Sequence, residues 1–312
     1  MAKVSILMPI FQAEKYLAET LDTVFAQTFG DWEVIVMDGG SKDATVEILK
    51  KYAISDPRVR FWSEPDEGPY HAIHKALEKA QGEFVCVLCA SDGWLDKDWL
   101  KSCVETMESD PEVSLVWGVP MQINEEGKEL GPNYMFARFL PENKSGWRWA
   151  KLINSAFSRI DILHPIKSVR NILRLWKPAN LKAAASFVKN SKPLHKREWF
   201  NYWLETGVLF PDNAMFMDRK MFMDCLPPYH MGTKEPGDWM SFYYNFNARG
   251  YLSYCFPRII SFARVNSGSI SEKFLEYNRK SREDYLVKIS ALKTKLVEEP
   301  MQFRDRAGNK IG

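Results

Sequence analysis

Apolar positions in the first third of the chain fall into two alternating rhythms. Val4-Ser5-Ile6-Leu7-Met8-Pro9-Ile10, Glu33-Val34-Ile35-Val36, Val59-Arg60-Phe61-Trp62 and Phe84-Val85-Cys86-Val87-Leu88-Cys89 are short apolar runs of strand length. Between them the spacing lengthens to that of helices, with Leu17, Leu21 and Val24 on one face, then Val46, Ile48, Leu49 and Tyr52, then Tyr70 to Ala80. Gly39-Gly40 reads as a tight turn, and Asp43 or Ser41 as the N-cap of the second helix. The order βαβαβαβ predicts a mainly parallel sheet covered on both faces.

Two aspartates punctuate this pattern, Asp38 after the second strand and Asp92 in Ala90-Ser91-Asp92-Gly93-Trp94 after the fourth. Open α/β sheets bind ligands at the carboxyl ends of their strands. Two carboxylates on that rim suit a nucleotide and a divalent cation, although an ordinary βα turn also accounts for Asp38 by itself. No G-x-G-x-x-G follows the first strand, which argues against a dinucleotide-binding dehydrogenase.

Composition sets bounds. A chain of 312 residues with 46% hydrophobic content suits one large α/β domain with elaborations. No apolar run approaches the ~18 to 20 residues needed to span a bilayer, and the sequence starts directly in a strand pattern, so a cytoplasmic protein is expected. Of the five cysteines, Cys86 and Cys89 have C-x-x-C spacing inside a strand pattern, where residues three apart point to opposite faces. Buried thiols are expected there, not a metal or redox pair. There is no internal repeat and no low-complexity tract.

Taken together, Val4 to Ile10 with Phe11-Gln12-Ala13-Glu14-Lys15-Tyr16-Leu17, Asp38 to Thr45, Asp66-Glu67-Gly68-Pro69-Tyr70-His71-Ala72-Ile73-His74-Lys75 and Gly82 to Leu95 resemble the inverting family 2 glycosyltransferases. The resemblance covers about the first 120 residues well and Asp212 to Ser271 more loosely. It implies a GT-A fold, Rossmann-like, with a mainly parallel central sheet and helices on both faces. It implies transfer of a sugar from a nucleoside diphosphate sugar, most commonly of UDP, to a hydroxyl of a glycan or lipid-linked acceptor in cell-surface polysaccharide synthesis. By the same resemblance Asp38 contacts the nucleotide base or ribose, main chain from Pro9 to Phe11 lines the base pocket, and Glu14, Asp66 and Ser91 add to the donor site, while a solvated helix-start glutamate and a turn aspartate account almost equally well for Glu14 and Asp66. Asp92 is the candidate ligand for Mg²⁺ or Mn²⁺, the natural partner of a leaving diphosphate. Arg264, ahead of Val265-Asn266-Ser267-Gly268-Ser269-Ile270-Ser271, resembles the start of a tail loop over the diphosphate and adds a positive charge. An inverting transfer also needs a general base, and Asp238 in Glu235-Pro236-Gly237-Asp238-Trp239 stands where the family carries an aspartate; it reads equally as the N-cap of a helix that Gly250 stops.

The chain also departs from the family. Where Asp-x-Asp followed by another aspartate is common, Ala90-Ser91-Asp92-Gly93 keeps one carboxylate. His74 replaces the usual asparagine of the third helix and His71 an aspartate of one subgroup, a pair for which packing is the expectation over ligand binding. Asp212 stands where a histidine is frequent. These departures leave a second reading, a non-catalytic relative that binds a nucleotide sugar or a partner enzyme.

Charge is uneven. The segment 138–197 holds 14 Lys or Arg against Glu142 and Asp161, a net +12 in a chain of net +2. Ile166, Val169, Leu173 and Trp176 make one helical stripe, each followed by a basic residue, with Trp147, Trp149, Trp199 and Trp203 as interfacial anchors. The expectation is peripheral attachment to an anionic membrane on its cytoplasmic face, with no nucleic acid partner because no recognition motif accompanies the charge. Tyr285, Ile289, Leu292 and Leu296 predict a docking or oligomerising helix near the C-terminus. The implied organisation is a donor-binding part at 1–120, a basic helical insertion at 134–210, an acceptor-side part at 211–271 and a helical tail at 272–312.

Overall fold

The structure, a computed structural model, describes residues 2–133, 136, 139–140, 194–229, 239–265 and 275–312, with backbone alone for 275–278. The apolar runs become strands β1 (Val4–Ile10), β2 (Trp32–Asp38), β3 (Val59–Ser63) and β4 (Phe84–Val87), joined through helices α1 (Leu17–Phe25), α2 (Thr45–Ser55) and α3 (Pro69–Lys79). All four strands are parallel, β1 lying between β2 and β4, and Ile10 pairs with Asp38 as Asp38 pairs with Ser63. That register brings the loops after β1, β2 and β3 to one edge.

The sheet continues through elements with weaker sequence signals. β5 (Gly93–Trp94) and α4 (Trp99–Ser109) lead into the long β6 (Val113–Ile123) and its hairpin partner β7 (Glu129–Pro132). After α5 (Lys196–Thr206) come a 3₁₀ turn at Asp212–Ala214, β8 (Met215–Asp218), α6 (Arg219–Cys225), α7 (Trp239–Ala248) and β9 (Leu252–Arg264). Strand order is β3-β2-β1-β4-β8-β6-β9-β5, with β7 beside β6. Beyond β4 the sheet turns mixed: β8 is antiparallel to both β4 and β6, whereas β6 and β9 are parallel.

Alternation along β1 and β2 loads both faces. Ile6, Met8, Val34 and Val36 meet Leu17, Leu21 and Val24 of α1, Leu49 of α2 and Trp99 of α4. Leu7, Ile35 and Met37 face the other way, onto Ile73, Ala76 and Leu77 of α3. Each such buried aliphatic contributes about 1.5–3 kcal/mol relative to exposure, which is why four short strands hold their register.

Three expectations are revised. Trp199 and Trp203 do not reach an interface with lipid: at 1% and 0% exposure they lie in the core. Trp199 stacks on Phe210 at 4.7 Å, and Trp203 Nε1 donates to Tyr285 Oη at 2.6 Å. Large rings gain more from an aromatic core than from a surface, although the Trp199 indole N–H is buried there without a partner among the described residues. The end of the basic segment likewise faces protein, Lys196 pairing with Asp110 and Glu112 at 2.7 and 2.8 Å; the stripe from Ile166 to Lys177, with Trp147 and Trp149, lies outside the described residues. Finally, β4 stops at Val87, so Cys89 lies past the strand and is exposed, while Cys86 is buried as expected.

The C-terminal helix α8 (Leu275–Lys295) docks on this same body through Tyr285 and Ile289, 2% and 4% exposed. Beyond it a hairpin of β10 (Phe303–Arg304) and β11 (Lys310–Ile311) ties back, Arg304 N donating to Gly250 O at 2.9 Å.

Candidate donor site at the carboxyl edge

β1 ends in buried Pro9 and Ile10, after which Phe11 is 61% exposed and Gln12 takes a left-handed φ of 49°. A non-glycine residue pays for that conformation, and neighbouring polar groups hold it. Gln12 N donates to Ser41 Oγ at 2.7 Å and Ala13 N to Thr45 Oγ1 at 2.8 Å. Glu14, expected at the base pocket, instead caps α2, its Oε2 accepting from Ala44 N at 2.9 Å; four free N–H groups at a helix start attract a carboxylate. The N-cap itself is Ala44, not Asp43 or Ser41; Asp43 stands one residue ahead of it and accepts from Thr45 N at 3.1 Å.

Asp38 is 1% exposed and its carboxylate is spoken for: Ser41 N and Ser41 Oγ donate to it at 3.1 and 2.5 Å, and Ser63 Oγ at 2.6 Å. It shapes the turn at Gly39-Gly40. Asp66 lies against that turn, its oxygens 3.1 and 3.2 Å from where a Cβ on Gly39 would be. Burial, and to a lesser degree Asp38, push the Asp66 carboxyl up, although Gly68 N donates to it at 2.8 Å. His71 stacks on Tyr229 at 4.5 Å, and His74 lies edge-on to Tyr70 at 4.9 Å. Tyr229 Oη also donates to Glu67, and Tyr70 Oη to Pro227 O at 2.9 Å, which fastens the start of α3 to the segment after α6.

Ser91 and Asp92 form a half-buried turn between β4 and β5. Asp92 accepts one main-chain bond, from Arg264 N at 3.2 Å. Burial raises its carboxyl from 3.8 to about 7, with Asp212 adding repulsion and Arg264 opposing it weakly. Asp212, exposed, begins the 3₁₀ turn before β8; Tyr243 Oη donates to it, and Asn213 Nδ2 anchors the turn to Phe262 O at 2.8 Å. Its own carboxyl is also raised by the protein around it. Sequence had given Asp212 no settled role; the Pro211-Asp212-Asn213 turn just before an apolar strand was its one visible signal.

Position 93 leaves little room for a side chain. Gly93 pairs with Phe262, and a Cβ there would come within 2.6 Å of the Phe262 ring and 2.9 Å of Thr23. Arg264, expected to face a diphosphate, has a side chain 2% exposed and already bonded: Nη2 to Glu19 at 2.5 Å, and Nη1 to the carbonyls of Asn124 and Glu125 at 3.1 and 3.0 Å. With Nη1 and Nη2 engaged, the guanidinium acts as a strut, although its Nε is buried without a partner among the described residues. Among the described residues no three acidic, histidine or cysteine side chains converge as a metal cage. Asp92 and Asp212, both raised and within electrostatic reach of each other, nevertheless fit a cation that completes its shell with oxygens of a bound diphosphate and water. Asp238 and the loop at 266–274 lie outside the described residues; α7 begins at Trp239, immediately after the expected base.

Residues 5–222 match the family described as Glycosyl transferase family 2. The chondroitin synthase of Escherichia coli is 30% identical over 131 residues, a stretch covering 42% of this chain and 19% of that one, so the chain spans about a fifth of this relative's length. Among solved structures, S. aureus TarS 1-349 in complex with UDP-GlcNAc superposes with a TM-score of 0.53 at 15% identity, covering 98% of this chain and 68% of that chain. The mannosyltransferase PcManGT from Pyrobaculum calidifontis, in complex with GDP-Man and Mn²⁺, gives 0.52 at 15% identity over 96% and 76%. At such identity the structural likeness speaks for the fold.

Proposed function

The chain belongs to glycosyl transferase family 2, and from that premise we propose that it is an inverting glycosyltransferase using a nucleoside diphosphate sugar, with UDP favoured. The acceptor is a hydroxyl of a glycan or lipid-linked glycan in polysaccharide synthesis. The observation that carries this reading is Asp92: a carboxylate at the carboxyl edge that burial raises to about 7, with a single hydrogen bond opposing the shift and Asp212 adding to it. Strongly perturbed carboxylates at a binding edge are kept for ligands. The polysaccharide synthase among the relatives, and neighbours whose complexes hold UDP-GlcNAc or GDP-Man, support the donor class.

Asp92 and Asp212 would hold Mg²⁺ or Mn²⁺, which when bound neutralises the charge gathering on the leaving diphosphate. The Asp38–Ser41–Ser63 cluster keeps the loop from Pro9 to Glu14 in shape for the base, with Phe11 exposed beside it. Asp238, one residue ahead of α7, takes the proton of the acceptor hydroxyl as that oxygen attacks the anomeric carbon. The bond from that carbon to the diphosphate oxygen breaks on the opposite face, so configuration inverts. Peripheral membrane attachment rests on the basic charge between 138 and 193, now without Trp199 and Trp203.

Thermal-shift screening of UDP, GDP and dTDP with and without Mn²⁺ tests the donor site. Asp238→Asn should retain nucleotide binding and lose about 10²-fold or more in transfer, with inverted product from the wild type. Full activity in that variant removes Asp238 as base. Nucleotide binding without turnover by the wild type favours the non-catalytic reading suggested by Ala90 and Gly93.

A further inference from the structure

Positions 90 and 93 give Asp92 no adjacent carboxylate in sequence, and its own side chain takes one hydrogen bond, so its placement must come from elsewhere. Two threonines one turn apart on α1 reach the main chain of its turn. Thr20 Oγ1 donates to the carbonyl of Asp92 at 2.7 Å, and Thr23 Oγ1 accepts from Trp94 N at 3.1 Å. Glu19, beside Thr20, binds the Arg264 guanidinium at 2.5 Å, while the main-chain N–H of Arg264 donates to Asp92 Oδ1 at 3.2 Å. The Arg264 side chain is fixed further by the Tyr16 ring, 4.3 Å from the guanidinium carbon, and by two carbonyls of the β6–β7 turn. The contacts close a ring: α1 to Asp92, Asp92 to Arg264, Arg264 to α1.

We propose that this ring is a positioning frame, in which Glu19, Thr20 and Arg264 set the direction of the Asp92 carboxylate without touching the donor. This rests on the donor-site reading above. The physical ground is that a side chain with a single hydrogen bond to the protein keeps its rotamer only if both its own backbone and its donor are immobilised. Thr20 is 1% exposed and immobilises the first; Glu19, acting through Arg264, immobilises the second. Helix α1 thus has two jobs on two faces, Leu17, Leu21 and Val24 for the core and the polar row for Asp92.

The test measures binding of UDP, GDP and dTDP, each with and without Mn²⁺, to the wild type, Glu19→Gln, Thr20→Val, Asp92→Asn and the double variant Glu19→Gln/Asp92→Asn. Glu19 is half exposed, so its replacement leaves the fold standing even where Thr20→Val does not. Glu19→Gln and Thr20→Val are expected to weaken Mn²⁺-dependent binding by about 3- to 10-fold, the loss of one hydrogen bond's direction, and to leave Mn²⁺-free binding unchanged. Adding Glu19→Gln to Asp92→Asn should cost nothing more, because the frame acts only through Asp92. A merely structural role would lower melting temperature and leave the Mn²⁺-dependent increment intact. Wild-type increments in both single variants, with the increment lost in Asp92→Asn, overturn the frame alone. An increment that survives in Asp92→Asn, or no binding of any nucleotide by the wild type, overturns the donor site itself.

Discussion

The two edges of the parallel half-sheet treat buried carboxylates in opposite ways. At the amino edge Glu33, 6% exposed, accepts from Ser5 Oγ and Gln81 N, each at 2.7 Å, and from Arg60. Burial by itself would raise it, but these donors outweigh burial and hold it below its ordinary 4.5. At the carboxyl edge Asp92 has one long bond and a like charge nearby, and is raised to about 7. A hollow beside Glu33, lined by Trp32, Arg58, Arg60 and Gln81, is rich in charge yet internally satisfied. Charge in a cavity is therefore a poor guide to a site; charge the protein leaves uncompensated is a better one. By that measure Asp38, although at the carboxyl edge, belongs with Glu33, as an architect of the loop.

The comparison breaks most sharply under substitution. Glu33→Ala should lose about 3 kcal/mol of stability, the lower end for a broken buried pair because Arg60 keeps 35% of its side chain in water. Activity per folded molecule should persist. Asp92→Asn should do the reverse, with an unchanged or higher melting temperature and no Mn²⁺-dependent nucleotide binding. Paired chemical denaturation and binding measurements decide this, and loss of stability in both would erase the distinction.

A smaller effect sharpens the same contrast. Gly93→Asp restores a family carboxylate but drives its Cβ to 2.6 Å from the Phe262 ring, an overpacking cost of about 1–3 kcal/mol. The double variant Gly93→Asp/Phe262→Ala should lose less stability than the two single changes summed and should bind Mn²⁺ more tightly than Gly93→Asp, read by denaturation and by titration. If Gly93→Asp is neutral, sterics do not explain the glycine.

The mildest signature is in pH, and its sign differs between the edges. Glu33 titrates lower folded than unfolded, so its contribution is present above its unfolded value near 4.5 and is lost as pH falls through the folded one. Asp92 titrates higher folded than unfolded, so the folded state holds an extra proton between about 4 and 7 and this group's share of stability falls as pH rises across that window. Melting curves of Asp92→Asn should match the wild type below about pH 4 and gain on it as pH rises to about 7. Those of Glu33→Gln should trail the wild type at pH 7 and converge with it below pH 4. Parallel curves throughout would mean that neither carboxylate is perturbed.

The half-sheet was legible in the sequence because its information is local. Period-two runs in β1 to β4, helical spacing in α1 to α3, and Gly39-Gly40 after Asp38 each constrain backbone within a few residues, and the order of elements then dictates parallel pairing. Family 2 membership followed from several such segments in sequence order, and Asp92 from its place after β4. Trp199 and Trp203 were misread because amphipathic spacing is the same for a helix facing lipid and one facing an aromatic core. The partners of Glu14 and Arg264 were not legible, because a charge reveals its partner only in three dimensions. The absence of an aspartate at 93 was visible in the chain, but the crowding there, from the Phe262 ring brought alongside by β9, belongs to residues 169 positions away. So does the frame about Asp92, whose members at 19, 20 and 264 share no local pattern. Sequence by itself determined which groups can ionise and which segments extend or coil. Only the tertiary structure decided which carboxylates find donors, because desolvation and hydrogen bonding depend on neighbours that the chain brings together by folding.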